Sequence, residues 1–147
     1  MSYNYIRGTD SDNTLLGTNL EDYMYGNDGN DVLIGGAGDD IIYGGQGDDT
    51  MWGGEGADTF RLKMAYIDNP FEQDIIADFD PNSGDVLWLQ SWNSSNLDYT
   101  LQQKGDDTVI TITSPSDFYT AVNEITLVGV QATDLTTDDY TFNAWNN

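Results

Sequence analysis

The chain contains no cysteine and no histidine. Disulfides, thiolate nucleophiles, imidazole general bases and the His or Cys ligand sets of zinc sites are therefore closed to it. Basic residues are scarce: 4 Lys and Arg stand against 26 Asp and Glu, a formal net charge of −22 over 147 residues. Non-specific nucleic-acid binding needs a basic surface, and anionic membranes attract basic clusters, so neither is a partner class. No apolar run approaches the roughly 20 residues that span a bilayer. The opening MSYNYIRGTD also lacks the apolar core of a secretory signal. Ser91, Ser94, Ser95 and Ser116 have no His base, which leaves paired carboxylates as the only common acid–base chemistry. Most Asp residues already belong to a repeat, so independent catalysis is not expected.

What is present is a clock. From Gly8 to Arg61 the chain divides into six nine-residue units: GTDSDNTLL, GTNLEDYMY, GNDGNDVLI, GGAGDDIIY, GGQGDDTMW and GGEGADTFR. Position 1 is always Gly, and position 4 is Gly in the last four units. Position 6 is Asn13, Asp22, Asp31, Asp40, Asp49 or Asp58, and position 8 is always apolar. Glycine favours tight bends, so positions 1 to 6 read as a turn and positions 7 to 9 as a short strand with one inward side chain. A strand and a turn every nine residues coil into a two-sided parallel stack, in which stacking rather than any single unit makes the core. Stacked turns bring carboxylates and carbonyls together, the oxygen donors that hard cations prefer. A cation there would relieve carboxylate repulsion. The competing reading is that Gly and Asp merely make hydrogen-bonded Asx-turns on a solvated face.

These units resemble the GGxGxDxUx nonapeptide of the RTX family, best in residues 35–43, 44–52 and 53–61. The resemblance implies an all-β fold: a right-handed parallel β-roll with Ca²⁺ between turns two units apart. Six units give about four sites, pairing 1 with 3, 2 with 4, 3 with 5 and 4 with 6. It implies side-chain ligation by Asn13, Asp22, Asp31, Asp40, Asp49 and Asp58. Carbonyls would come from earlier turn residues: Asn27, Gly29, Gly36, Gly38, Gly45, Gly47, Gly54 and Gly56. Units 1 and 2 depart from the pattern, with Ser11 or Leu20 at position 4, so their sites should be weaker or replaced, with Asp10 or Asp12 compensating. Asp78 and Asp85 are candidates for a further site or for ordinary turn residues.

Positions 7 and 9 point outward. Leu16, Ile34 and Trp52 form one stripe and Tyr25 and Tyr43 another, with same-face neighbours about 4.8 Å apart. These stripes either pack beneath the C-terminal half or form a platform for sugar rings or a neighbouring domain, with Tyr25, Tyr43, Trp52, Arg61 and Lys63 as ligand-binding candidates. After Arg61 the period stops. Segments such as QDIIADF, DVLWL and DTVITIT, separated by DPNSGD and SPSD, read as antiparallel strands capping the roll, and SDFYTAVN as a short helical turn. Residues 1–61 are thus expected to form the roll, and 62–147 a cap packed with it as one unit. This half also resembles segments that follow RTX repeats in secreted proteins. That implies an uncleaved type I secretion signal, type I secretion machinery as a partner, an extracellular location and folding on Ca²⁺ binding. A further resemblance, to repeat modules of alginate epimerases, implies an accessory acidic-polysaccharide-binding role, and an adhesin role is a third reading. The start of the repeat at Gly8 suggests an excised module with a covalently linked N-terminal domain, the alternative being a free-standing exported protein with a seven-residue leader.

Overall fold

The computed structural model describes residues 3–63, 71–91, 98–115 and 120–144. Each repeat delivers one strand, and the nine-residue step sends consecutive strands to opposite sheets. The strands are β1 (Asn4–Arg7), β2 (Thr14–Leu16), β3 (Asp22–Asp28), β4 (Val32–Ala37), β5 (Ile41–Gln46), β6 (Thr50–Glu55) and β7 (Thr59–Lys63). They continue as β8 (Phe71–Ile76), β9 (Val86–Ser91), β10 (Asp98–Lys104), β11 (Asp107–Pro115), β12 (Thr120–Leu127) and β13 (Tyr140–Ala144). A six-stranded sheet runs β1-β3-β5-β7-β9-β13 and a seven-stranded sheet runs β10-β11-β12-β8-β6-β4-β2.

Within the repeat, alternate strands pair in parallel with an 18-residue register, as in Tyr25↔Tyr43 and Leu33↔Met51. Position 8 of each coil points between the sheets: Met24, Leu33, Ile42, Met51 and Phe60 are all 0% exposed, and Leu15 packs against them from the first coil. The strands outrun the three residues expected. β3, β4, β5 and β6 each continue into positions 1 to 3 of the next unit, where Gly36↔Gly54 and Asn27↔Gly45 remain paired. Glycine carries no Cβ to block this close approach, so the ladder persists into the bend.

Two features extend the roll beyond the six units. β1 pairs in parallel with β3, placing Ile6 beside Met24, so Tyr5-Ile6-Arg7 acts as the strand of an additional coil before Gly8. Beyond residue 61, β8 joins β6 and β9 joins β7, both in parallel, with Met51↔Ile76 and Phe60↔Leu87 in register. The reason is visible in the chain: Asp74-Ile75-Ile76 repeats Asp40-Ile41-Ile42, and Asp85-Val86-Leu87 repeats Asp31-Val32-Leu33. β12 and β13 then add in parallel to β8 and β9. QDIIADF (β8) and DVLWL (β9) thus continue the parallel roll, against the antiparallel pairing expected from QDIIADF onward. Among the described residues that expectation holds for β10-β11-β12, at one end of the seven-stranded sheet. There Ile110, Ile112, Ile125 and Leu127 extend the apolar core. The helical turn expected over 116–123 is not found where it can be checked: Thr120 onward belongs to β12, and 116–119 lie outside the described residues.

Candidate metal centre

The turns have a fixed backbone signature. Positive φ occurs at position 2 in Asn27, Gly36, Gly45 and Gly54, and at position 4 in Gly29, Gly38, Gly47 and Gly56. These are the eight residues expected to offer carbonyls. Asn27, at φ 89°, is the only non-glycine of positive φ among the described residues, consistent with asparagine's tolerance of this region. The coils stack so closely that a Cβ on Gly45 would collide with the carbonyl oxygen of Asn27, one on Gly54 with that of Gly36, and one on Gly56 with that of Gly38. The carbonyls of positions 2 and 4 therefore face the coil two units on.

The position-6 side chains form two columns, one along each edge. In one, Asp31 Oδ1 accepts the amide of Asn13 at 2.7 Å, Asp49 Oδ1 that of Asp31 at 2.8 Å and Asp74 Oδ1 that of Asp49 at 3.1 Å. In the other, Asp40 Oδ1 accepts from Asp22 at 2.8 Å, Asp58 Oδ1 from Asp40 at 2.9 Å and Asp85 Oδ1 from Asp58 at 2.9 Å. Position 5 reaches the other way: Asp12 Oδ1 accepts from Asn30, Asn30 Oδ1 from Asp48, and Asp39 Oδ1 from Ala57. Each coil is thus tied to its neighbours by side-chain bonds of both polarities.

These bonds use only half of each position-6 carboxylate. Oδ2 of Asp31, Asp40 and Asp58 is buried and has no hydrogen-bond partner, and these residues are at most 1% exposed. An unpartnered buried carboxylate oxygen is costly. The electrostatics agree. Burial, reinforced by the charges of Asp31, Glu72 and Asp48, pushes the Asp49 carboxyl up to about 7. Burial and the charges of Asp85, Asp40 and Asp78 push Asp58 up to about 7. Desolvation also raises Asp31, Asp40 and Asp85, and raises Asp74 well above the ordinary carboxylate range. Backbone hydrogen bonds pull each of these down without prevailing. Buried oxygens without donors, with the Gly44 carbonyl beside Asp31 Oδ2 and the Gly53 carbonyl beside Asp40 Oδ2, fit a hard divalent cation. No cluster of three or more acidic side chains suited to a metal occurs among the described residues, so any such site draws much of its ligation from the backbone.

Not every expected residue contributes in the same way. Asp22 has both oxygens hydrogen-bonded, to Asn4 Nδ2 and to Thr18, and the Asn13 carboxamide bonds to Thr9. Asp78 spends its carboxylate on the amides of Gly53 and Gly54, at 2.9 and 3.0 Å. Asp85 accepts from Asp58, Asp80 and Ser83. Asp12 meets Asn30, and Asp10 makes no contact that marks it as a ligand. Asp74 is the residue that sequence reading missed: it ends one aspartate column, and its signal was the repeated Asp-Ile-Ile.

The outer-face candidates separate by sheet. Tyr25, Tyr43 and Arg61 lie in adjacent strands of the six-stranded sheet, and Trp52 lies beside Ile34 on the other. Tyr25 and Tyr43 stack at 4.7 Å between ring centroids, Arg7 lies 5.4 Å over Tyr25, and Arg61 lies 4.2 Å over Trp88. Lys63 is in β7, in register with Gln90. The C-terminal strands join the sheets edge to edge instead of lying across their outer faces.

Coils stacked two units apart, with acid and carbonyl oxygens converging in the gaps, make a cation-binding parallel β-roll. Residues 4–33 and 25–60 match the family model described as RTX calcium-binding nonapeptide repeat (4 copies). The AlgE6R2 subunit of the Azotobacter vinelandii mannuronan C5-epimerase is 30% identical, with 98% of this chain and 96% of that chain covered and a TM-score of 0.70. The AlgE6R3 subunit of the same enzyme is 29% identical over 95% of this chain and 82% of that chain, with a TM-score of 0.67. The extracellular lipase LipA from Serratia marcescens shares the fold at 23% identity and a TM-score of 0.67, over 93% of this chain but 20% of that one. No curated protein sequence matches the chain. The chain belongs to the RTX calcium-binding nonapeptide-repeat family, and its cofactor is Ca²⁺.

Proposed function

We propose that this chain is a non-catalytic module of an exported protein that folds when it meets calcium outside the cell, with residues 62–147 carrying a type I secretion signal and folding as one unit with the roll. The observation that carries the reading is the set of buried, unpartnered Oδ2 atoms on Asp31, Asp40 and Asp58. Asp31 and Asp49, with the carbonyls of Asn27, Gly29, Gly45 and Gly47, would hold one ion. Asp40 and Asp58, with Gly36, Gly38, Gly54 and Gly56, would hold another. Bound Ca²⁺ supplies the positive charge that the composition lacks. A site absent from the unfolded chain turns binding energy into folding energy, and extracellular modules of about 10⁻⁴ to 10⁻³ M affinity stay empty in cytosol. The sheet continuity of β6 with β8 and β7 with β9 supports a single folding unit. The test is far-UV circular dichroism through calcium addition and chelation. Strand signal should appear with calcium and vanish with chelator, and an unchanged spectrum would remove the reading. Export is tested by secretion from cells carrying a type I exporter, with and without residues 128–147.

A second reading, accessory binding of an acidic polysaccharide, is favoured by one observation. Position 9 of the six-stranded sheet runs Arg7, Tyr25, Tyr43, Arg61, Trp88. Two of the chain's 4 basic residues therefore lie on one aromatic column of a protein with net charge −22. Beside it lies a groove of about 360 Å³ lined by Ile41, Thr59, Val86, Leu87, Trp88 and Thr141. Aromatic faces pack against sugar CH groups, and guanidinium donates to carboxylate. The solved relatives are subunits of a mannuronan C5-epimerase, which makes mannuronan oligomers the probe of choice. Calorimetric titration in calcium buffer that gives no heat would leave this reading without support.

A further inference from the structure

Position 2 separates the coils into two kinds. In coils 3 to 6 it is Asn27, Gly36, Gly45 or Gly54, with φ of 89, 115, 126 and 101°. In coils 1 and 2 it is Thr9 or Thr18, and neither has positive φ. A β-branched residue enters that region only under strain. The position-6 partner responds. The Thr18 amide donates to Asp22 Oδ2 at 2.6 Å and its hydroxyl donates to the same oxygen at 3.0 Å. Thr18 Oγ1 also accepts the amide of Leu20 at 3.1 Å, closing the turn. Asp22 Oδ1 is met by Asn4 Nδ2 at 2.8 Å. Coil 1 repeats the arrangement: the Thr9 amide donates to Asn13 Oδ1 at 2.6 Å. The oxygen that Thr18 occupies in coil 2 is the one left without a donor in coils 3, 4 and 6.

We infer that Thr18 takes the place of an ion at coil 2. Its two donors, with Asn4, satisfy the Asp22 carboxylate by hydrogen bonds, so the site between coils 2 and 4 is weak and the tight ions lie between coils 3 and 5 and coils 4 and 6. The first coils are then closed by neutral donors and end the roll without needing calcium: coil 1 has the uncharged Asn13 at position 6, and Asn4, in register with Asp22, stands at the same place in the coil before it. The inference rests on the calcium reading of coils 3 to 6.

The experiment is competition of the whole chain against a chromophoric chelator, with Ca²⁺ itself as the probe. The wild-type chain should show two ions in a tight class and the remainder weaker. The double variant Thr18→Gly, Leu20→Gly gives coil 2 the glycines of coils 4 to 6, and should move one more ion into the tight class with roughly a tenfold gain in affinity. Thr18→Ser, which keeps the hydroxyl, should leave the profile unmoved. Four ions of one class in the wild type overturn the inference while leaving the calcium sites in place. So does a double variant that is folded in calcium by circular dichroism but gains no tight ion. If that variant does not fold, the wild-type profile alone decides between two classes and one. A wild-type chain with no tight class overturns the calcium reading of coils 3 to 6 and this inference with it.

Discussion

The repeat coils and the coils that follow them share a strand ladder but not a way of closing their turns. In the repeat, glycine bends are crowded against buried carboxylates whose second oxygen finds no donor. Beyond residue 71 the turns are closed by their own side chains. Asp80 Oδ1 accepts the Asn82 amide at 2.9 Å, Asp85 Oδ2 accepts the Asp80 amide at 2.9 Å, and Asp78 clasps two amides of the last repeat. Farther on, β10 to β12 rely on Ile110, Ile112, Ile125 and Leu127, none more than 1% exposed. One region is thus held by apolar packing and saturated turns, and the other lacks a cation until calcium arrives. The same parallel architecture can be stabilised from two different sources.

Removing calcium is the largest test of that contrast. Each ion bound at 100 times its dissociation constant adds about 2.7 kcal/mol, so two or more rival the ~5–15 kcal/mol stability of an ordinary domain. Chelation should therefore abolish amide-exchange protection in β3 to β6, and in β8 to β12 as well, because the two sheets are continuous. Protection surviving in β10 to β12 under chelator would instead make the two regions separate folding units.

Acidity should act oppositely on the two states of the roll. Asp49 and Asp58 titrate near 7 in the folded chain and Asp31 and Asp40 are also raised, against 3.8 for an ordinary Asp. A raised carboxyl favours the protonated folded state. Its contribution is complete below the unfolded value and is lost as pH climbs through the folded one. In chelator at pH 8 the chain should be unfolded, and lowering the pH to 5 should restore part of the strand signal in circular dichroism. In saturating calcium the advantage of low pH should disappear, because protons and Ca²⁺ compete for the same oxygens. A chelated chain with no more strand signal at pH 5 than at pH 8 would show that hydrogen bonds, not desolvation, dominate these carboxylates.

The apolar end is probed by Ile110→Ala. Deleting a fully buried aliphatic side chain costs about 2–5 kcal/mol, including the cavity left behind. The thermal midpoint should fall at saturating calcium, with the number of ions bound unchanged. Loss of an ion in this variant would mean that β11 helps to shape the turns, and the contrast between the regions would narrow.

Much of this division could be read from the chain, and the gaps have physical causes. Glycine, aspartate and one apolar residue recur every nine positions, and each is needed for a different reason: bend, oxygen and core. The repeat therefore declares its strands and its inward residues. β8 and β9 read as strands, but their parallel pairings with the roll were hidden because the clock stops while the stacking does not. Asp74 bonds to Asp49 across 25 residues and Asp85 to Asp58 across 27, where the repeat uses 18. Only the recurring tripeptides Asp-Ile-Ile and Asp-Val-Leu betray them. β1 was hidden because one partial unit has no period. The contrast between Thr18 and Gly36 looks minor as sequence and becomes large only when φ changes sign and an amide turns toward Asp22.

A matched pair of glycines gives the finest comparison. Gly45 in the roll and Gly105 between β10 and β11 both have positive φ, at 126 and 69°. Alanine at either position strains the backbone by about 1–2 kcal/mol. At Gly105 nothing lies within 4 Å of the new methyl group, so backbone strain is the whole expected cost and calcium affinity should not change. At Gly45 the methyl group would strike the Asn27 carbonyl, one of the oxygens that face the gap between coils 3 and 5. Gly45→Ala should therefore cost more than Gly105→Ala and also weaken one ion, read together as a lower thermal midpoint and a shifted calcium titration. Equal losses in the two variants, with neither titration displaced, would show that the gap between these coils can open by the width of a methyl group without disturbing its ion.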